Sequence, residues 1–245
     1  MKKRTQQFAL GGIALGLILL AGFAVRARVD YMKQQGLQGN CVMHLKQISL
    51  ALLEYQDRYG SLPPACTRDA NGKPLHSWRR LILPFLGGEE VYARYDFDEP
   101  WNGPNNSRLR ANLPETFADR FRCPTGRSRS GATNYFAVLG PRTLWPAQKP
   151  GRIANEMLES QPEVLVIEMP DSEVNWMEPT DIDVDEVISK LNSLSGEMGA
   201  IHPRGIQYVD TAQRVHAFPT DFGAIVLRKL LTTAKSIPLA ESVDK

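Results

Sequence analysis

The feature that most constrains this chain is an apolar run near its N-terminus, Phe8 to Val25, which contains eighteen residues and no charge. As a helix rising about 1.5 Å per residue, the run is roughly 27 Å long, just enough for the hydrocarbon core of a bilayer. A buried helix of a soluble protein is the alternative. We expect residues 1–30 to form a cytoplasmic tip and a transmembrane signal anchor.

The charges around this run predict its orientation. Three basic residues precede it and favour a cytoplasmic N-terminus, and the basic residues on its far side weaken this bias without reversing it. A cleaved signal peptide is a second possibility, but the run is longer than a usual signal-peptide core and "AGFAVRA" is a poor cleavage site. We therefore expect a single-pass protein of the cell membrane with the bulk of the chain outside the cytoplasm.

A second helical pattern predicts an amphipathic stem over residues 31–60. Apolar residues recur there at spacings of three and four, which places them on one side of a helix. They are Cys41, Leu45, Ile48, Leu52, Tyr55 and Tyr59. Asn40 is a reasonable N-cap, Gly36 and Gly39 can interrupt the link to the membrane span, and "GSLPP" ends the helix. We expect the stem to pack on an extracytoplasmic domain formed by residues 61–245.

Short extended segments predict an antiparallel sheet in that domain. "TNYFAVLG" (133–140) and "EVLVIEMP" (163–170) are rich in β-branched and apolar residues. "GIQYVD" and "QRVHAF" flank Thr211-Ala212 and are expected to form a hairpin. Helices are expected over "DVDEVISKLNSL" and "TDFGAIVLRKLLTTAK", the second capped by Thr220 or Asp221. Because strands follow one another by hairpins and loops, the fold class is α+β rather than doubly wound.

Composition and motifs argue against nucleic acid, cofactors and catalysis. With 29 basic and 27 acidic residues, the chain has no strong field to attract a polyanion. It contains no GxSxG, P-loop, GxGxxG or HExxH pattern. His44 is expected to be an exposed histidine of the stem. Asp181, Asp183 and Asp185 lack the spacing of an EF-hand and predict an acidic helix N-terminus. We expect no enzyme activity, metal or cofactor.

The three cysteines form no CxxC pair, so a zinc or thioredoxin-like site has no support. Cys66 and Cys123 both lie beside prolines in loops, and outside the cytoplasm they are plausible disulfide partners. Cys41 is then the odd residue, packed on the stem. Three unpaired buried thiols are the alternative.

Residues 69–106 form the most unusual loop region and contain Trp78 and Trp101. Ser77 is expected to cap a short helix over "WRRLILPFL", which Pro84 disturbs or ends. The tryptophans of the chain can line a groove for sugar or peptide, but large rings more often hold loops onto a sheet. We therefore expect these rings to be buried.

The order of these segments resembles a planctomycete pilin-like family, domain of unknown function 1559, which carries an H-x9-DG motif near its C-terminus. The matching segments are "CVMHLKQISLALLEYQDRYGSLPPA", "DANGKPLHSWRRLILPFL", "YDFDEPWNGPNN", "FRCP", "TNYFAVLGP", "VIEMPDSEVNWMEPTDIDVDE" and "HPRGIQYVDTAQRV". The resemblance marks Trp78, Trp101, Asn102, His202 and Asp210 as family-motif residues. It implies a pilin-like fold, in which an N-terminal helix packs on a small antiparallel sheet with long loops. The family is similar to type II secretion pseudopilins at its N-terminus and has been filed with solute-binding proteins.

The chain departs from that family in two ways. Its apolar run lacks the prepilin leader and its glutamate, so leader cleavage and assembly into a pilus are not expected. His202 is followed by Asp210 at +8 instead of +10, and Thr211 replaces the glycine of the motif. The hairpin should therefore use a turn other than type I′, which requires positive φ at both central residues.

Taken as a whole, the sequence predicts a membrane-anchored, pseudopilin-like envelope protein with a structural or protein-interaction role. The alternative is an extracytoplasmic module that binds sugar, peptide or metal. That alternative requires a deep pocket with Trp101, Asn102 and Asn105 exposed. The structural role requires the tryptophan rings to be buried.

Overall fold

The structure is a computed structural model that describes residues 2–113, 115–124, 128–146, 151–153, 162–193, 205–218 and 223–232. Side chains are described from residue 16 onward, except at 115 and 116. The helices are α1 (Lys2–Tyr59), α2 (Trp78–Leu81), α3 (Glu89–Arg94), α4 (Pro104–Ala111), α5 (Glu115–Ala118), α6 (Val184–Ser193) and α7 (Ala224–Thr232), with 3₁₀ turns at Leu83–Leu86 and Asp119–Phe121. The strands are β1 (Cys66–Arg68), β2 (Pro74–Ser77), β3 (Tyr135–Phe136), β4 (Val138–Leu139), β5 (Val164–Glu168), β6 (Ile182–Asp183), β7 (Gln207–Asp210) and β8 (Val215–Ala217). This is the α+β class that the sequence predicts.

Helix α1 is continuous over 58 residues, which corresponds to a length of about 87 Å. Asn40 lies inside it and is not an N-cap, and Gly36 and Gly39 do not interrupt it. All three are exposed. Each glycine costs only about 1 kcal/mol in an exposed helix, which the packing of the neighbouring turns can offset.

The two ends of α1 lie in different environments. Leu17, Ile18, Leu19, Leu20, Phe23 and Val25 are between 62% and 74% exposed. From Gln38 onward one side of the helix is buried, and Cys41, Leu45, Ile48 and Leu52 are at most 1% exposed. The predicted seam therefore faces the rest of the protein, although Tyr59 at its end is 57% exposed.

The predicted membrane span lies only partly within the residues whose side chains are described. Residues 8–15 of Phe8–Val25 are outside that set. Within the set, no helix combines the length and the apolar character that crossing a bilayer requires. The transmembrane segment stays a prediction.

The principal sheet has four strands in the order β3-β5-β7-β8, each antiparallel to its neighbour. β1 and β2 form a separate antiparallel pair, and β4 pairs with β6 in parallel. The predicted strand over 133–140 is thus divided between two sheets. The hairpin predicted around Thr211-Ala212 is β7–β8.

Two clusters of buried apolar side chains flank the principal sheet. The first joins the seam of α1 to residues such as Tyr135, Leu165 and Val209. The second joins Phe136 and Ile167 to the apolar faces of α6 and α7. Tyr135 and Phe136 are neighbours in β3 but belong to different clusters, because successive side chains of a strand point to opposite faces. The sheet therefore lies between α1 and the helix pair α6–α7.

The two environments of α1 predict different effects for similar substitutions. Leu52→Asp should lower the free energy of unfolding by roughly 3–5 kcal/mol, because it removes a fully buried side chain and buries an unpaired charge. Leu50→Asp is the matched control, since Leu50 lies on the same helix and is 47% exposed. Its effect should stay within about 0.5 kcal/mol. Urea denaturation followed by tryptophan fluorescence measures both, and equal stabilities would show that the seam is not part of the core.

Candidate functional site

The loop region between residues 69 and 106 is held to the sheet by a buried arginine. Ser77 caps α2 as predicted, because its Oγ accepts a hydrogen bond from the Arg79 backbone N–H at 3.2 Å. The Arg79 guanidinium is fully buried and donates to the Tyr135 carbonyl at 2.8 and 3.0 Å. It also donates to Asp181 Oδ1 at 2.7 Å. A single side chain thus ties α2 to β3 and to the segment before β6.

Asp181 is the other half of this buried ion pair. Its Oδ1 also accepts from the Trp78 indole N–H at 3.0 Å and from the Ala137 backbone N–H at 2.9 Å. Burial raises the pKa of the Asp181 carboxyl, and the Arg79 charge and these two donors oppose that rise. The prediction that Asp181 forms part of an acidic helix N-terminus is wrong, because the chain turns its side chain inward. Asp183 does have that position, since it accepts from the Glu186 N–H at 2.8 Å.

Arg80 is buried among aromatic rings. Its Cζ lies 4.0 Å from the ring centre of Tyr95 and 4.7 Å from that of Tyr92, and its Nη2 donates to the Tyr92 carbonyl at 2.7 Å. Burial lowers the pKa of Arg80 to about 10. His76 bonds the Tyr95 hydroxyl at 2.8 Å and the Phe97 carbonyl at 3.1 Å. Burial lowers its pKa as well. These polar groups hold the loop after α3.

The tryptophans mostly lie in the core. Trp78, Trp145 and Trp176 are at most 1% exposed. Trp145 donates to the Leu165 carbonyl at 2.8 Å, and Trp176 stacks on Phe121 with ring centres 5.3 Å apart. Buried rings of this kind act as structural side chains.

The Asn-rich turn is organised by a residue that the sequence analysis did not single out. Trp101 is half-buried against the first cluster, and Asn102 is exposed. Asn106 is fully buried, and its amide donates to the Asp96 carbonyl at 2.8 Å and accepts from the Asp96 N–H at 3.0 Å. Its own N–H donates to Glu99 Oε1 at 2.6 Å. Its role depends on burial, which the local sequence "PWNGPNN" does not reveal.

Of the two residues of the C-terminal motif, His202 lies outside the described residues. Asp210 is 2% exposed and ends β7. Its carboxylate accepts from the Arg214 N–H at 2.9 Å and bonds His216 Nε2 at 2.8 Å. The bond from the Asp210 N–H to the Arg214 carbonyl closes a loop of residues 211–213, and Gln213 at its end has φ +61°, a left-handed conformation found in a common hairpin class. The motif aspartate therefore closes the hairpin without the type I′ turn.

Chemically the most notable group lies where α1 meets the sheet. Cys41 Sγ of α1, Cys123 Sγ and a carboxylate oxygen of Glu168 in β5 all lie within 4.8 Å of one another, and all three residues are buried. Two thiols and a carboxylate at this spacing have the donor chemistry to hold a metal ion, and two thiols can form a disulfide. Cys66 lies in β1 and is not part of this group. The structure records no disulfide among the three cysteines, and the pairing of Cys66 with Cys123 stays a prediction.

His44, one turn after Cys41 on α1, borders this group. Its Nδ1 lies 3.2 Å from the Arg122 carbonyl and 3.5 Å from the Tyr135 hydroxyl. The prediction of an exposed histidine is wrong, since His44 is partly buried and burial lowers its pKa. The spacing Cys41, His44, Ile48 could have indicated this position, because it follows the seam of the helix.

Comparison with known proteins shows the family to which the chain belongs. A family model described as "Protein of unknown function (DUF1559)" matches residues 38–163, just over half of the 245 residues. The chain belongs to this family. The DUF1559 match includes the buried seam of α1, the two buried arginines and all three cysteines, and it ends immediately before β5. No curated protein and no solved structure has a significant match to the chain.

The buried ion pair gives a prediction about coupling. Arg79→Met should lower the free energy of unfolding by roughly 3–5 kcal/mol, because Asp181 then stays buried without its charged partner. Adding Asp181→Asn should recover part of that loss, since no uncompensated charge remains. The control is Glu186→Gln on α6, whose pair with Lys190 is about half exposed and should contribute no more than about 1 kcal/mol. A urea-denaturation cycle measures the coupling, and strictly additive losses would contradict it.

The hairpin loop gives a prediction about backbone strain. Gln213→Gly should raise the free energy of unfolding by roughly 0.5–1 kcal/mol. A residue with a Cβ in the left-handed region is strained by about 1–2 kcal/mol, and glycine removes this strain. Part of the gain is lost because glycine loses more conformational entropy on folding. Ala212→Gly is the control. It should lower stability, since Ala212 is not among the residues of positive φ. Thermal unfolding of both variants checks the sign, and a loss of stability in both would contradict the strain argument.

Proposed function

We propose that this chain is a membrane-anchored, pilin-like envelope protein with a structural or protein-interaction role and no catalytic activity. In this proposal the N-terminal part of α1 fixes the chain in the membrane, and the same helix supports the domain outside the cytoplasm. The observation that carries the proposal is the group of exposed apolar side chains on α1 ahead of its buried part.

Those exposed side chains have a physical consequence. Six apolar residues between Leu17 and Val25 are 62–74% exposed. Hydrated apolar surface costs about 25 cal/mol per Å², and contiguous apolar patches mark membrane or protein interaction sites. A bilayer would cover all six at once. From Cys41 onward, the domain itself covers the apolar side of the helix.

The orientation rests on charge. Lys2, Lys3 and Arg4 precede the apolar run. Basic residues at the start of a first membrane helix are retained in the cytoplasm, so the residues that follow the helix are exported. The domain that packs on α1 is then extracytoplasmic.

The absence of catalysis is proposed from how the buried polar side chains are used. Arg79 and Asp181 satisfy each other and nearby backbone groups, and His76 and Asn106 bond to loop groups. A catalytic site instead needs polar side chains that converge on a cavity open to substrate. These residues are committed to holding loops on the sheet.

A ligand-binding module is the second function that the sequence raises. It needs Trp101, Asn102 and Asn105 around a deep pocket. Trp101 is half-buried against the core, and surface depressions of about 460 and 370 Å³ are lined by other residues. We therefore prefer the structural role.

Membrane anchoring can be tested in bacterial cells. The full-length chain is expected to stay with the membrane fraction after alkaline carbonate washing, and its domain should become sensitive to protease in spheroplasts without lysis. Mass spectrometry of the mature protein should find an intact N-terminus. A chain recovered in the soluble fraction without detergent, or cleaved near residue 27, would contradict the anchor.

Matched arginine variants locate the anchor. Leu19→Arg with Phe23→Arg should greatly reduce membrane retention, since each arginine at the centre of a span costs roughly 2.5–3.5 kcal/mol. Val29→Arg with Met32→Arg is the control. These two residues are also exposed, at 51% and 54%, but lie beyond the apolar run. Equal retention of the two double variants would show that the run does not anchor the protein.

A further inference from the structure

The cysteine pair at the junction of α1 and the sheet combines two segments that are distant in sequence. Cys41 is 0% exposed and Cys123 is 1% exposed, and their Sγ atoms lie within 4.8 Å of each other. Cys41 belongs to the buried seam of α1. Cys123 follows the 3₁₀ turn Asp119–Phe121 in the body of the domain.

Hydrogen bonds hold the segment that contains Cys123 in place beside α1. The Cys123 N–H donates to Asn134 Oδ1 at 2.8 Å, and the Asn134 N–H donates to the Phe121 carbonyl at 2.8 Å. One residue before Cys123, the Arg122 carbonyl lies 3.2 Å from His44 Nδ1. Hydrogen bonds therefore fix the Cys123 segment both to the start of β3 and to the turn of α1 that follows Cys41.

We propose that Cys41 and Cys123 form a disulfide that joins α1 covalently to the body of the domain. The proposal rests on the extracytoplasmic location proposed above, because disulfides persist in oxidising compartments. The docking of α1 already brings the two Sγ atoms within 4.8 Å of each other, and a disulfide requires them to approach further, to about 2.05 Å. It assigns to Cys123 a different partner from the one that the sequence suggested.

The oxidant is a disulfide, either of glutathione or of a thiol-oxidising protein. The thiolate of one cysteine attacks that disulfide, forms a mixed disulfide and releases one oxidant thiol. The second cysteine then attacks the mixed disulfide and releases the other oxidant thiol. One S–S bond replaces two S–H bonds, and two electrons and two protons pass to the oxidant.

The burial of both cysteines determines when this reaction occurs. Neither thiol is accessible once α1 has docked, so the bond forms during folding, and afterwards the folded domain protects it from reductants. Cys66 differs because it lies in β1 and is only partly buried. This partial burial raises the pKa of its thiol, so less of the reactive thiolate is present. It should remain a free thiol.

Oxidative refolding of the full-length chain in detergent micelles tests the pairing. The reduced chain is unfolded in urea, diluted into a buffer of reduced and oxidised glutathione, alkylated and digested with trypsin without reduction. Trypsin separates the three cysteines, because Cys41, Cys66 and Cys123 lie in the peptides 34–46, 59–68 and 123–127. Peptide 34–46 should be linked to 123–127, and 59–68 should be alkylated.

Three outcomes would overturn the proposal: a link between 59–68 and 123–127, alkylation of all three peptides, or one zinc bound per chain with no disulfide formed. The last result would mean that the two thiolates and Glu168 hold a metal instead. If the link forms in vitro but the protein in cells is reduced, the pairing stands and the extracytoplasmic location is wrong.

Thermal unfolding of two samples, one refolded with oxidised glutathione and one refolded in the presence of reductant, tests the same bond without digestion. Closing the loop from Cys41 to Cys123 should raise the Tm by about 10 °C relative to the reduced protein. Cys66→Ser should keep this difference. Cys41→Ser and Cys123→Ser should abolish it whatever their own stability, because each is compared only with itself. A redox-dependent Tm in either of those two variants would contradict the assignment.

Discussion

The docking of one side of α1 onto the sheet is the interaction on which the other features depend. Leu45, Ile48 and Leu52 belong to the first cluster, and the sheet strands on which α1 packs are too short to be stable alone. The same packing brings Cys41 beside Cys123 and His44 beside Arg122. A helix that left this position would therefore expose the core and separate both pairs.

The loops around residues 69–106 add a second layer of constraint that is polar rather than apolar. Arg79, Arg80 and Asn106 are all fully buried, and each reaches backbone carbonyls of another segment. Buried polar groups of this kind contribute little net stability but strongly disfavour alternative arrangements of the loops, because an unmade bond leaves a desolvated group. The unusual composition of the region is therefore explained by loop architecture.

The sequence predicted the features that depend on residues close together in the chain better than those that depend on distant residues. The seam of α1, the Ser77 cap, the hairpin and α6 were all predicted, because each depends on residues a few positions apart. The role of Asp181 was predicted wrongly, since its partners Trp78 and Arg79 lie about one hundred residues earlier in the chain. His44 was placed on the surface because it is polar, although its spacing from Cys41 and Ile48 follows the seam.

The sequence by itself determined the α+β class, the family, the long N-terminal helix and the side of that helix that faces the protein. These are properties of local hydrophobic periodicity and of motif order. Only the tertiary structure decided that α1 continues unbroken through its glycines, that Arg79 pairs with Asp181, and that Cys41 lies beside Cys123. Each of these depends on packing between distant segments, and neither propensity nor spacing along the chain contains that information.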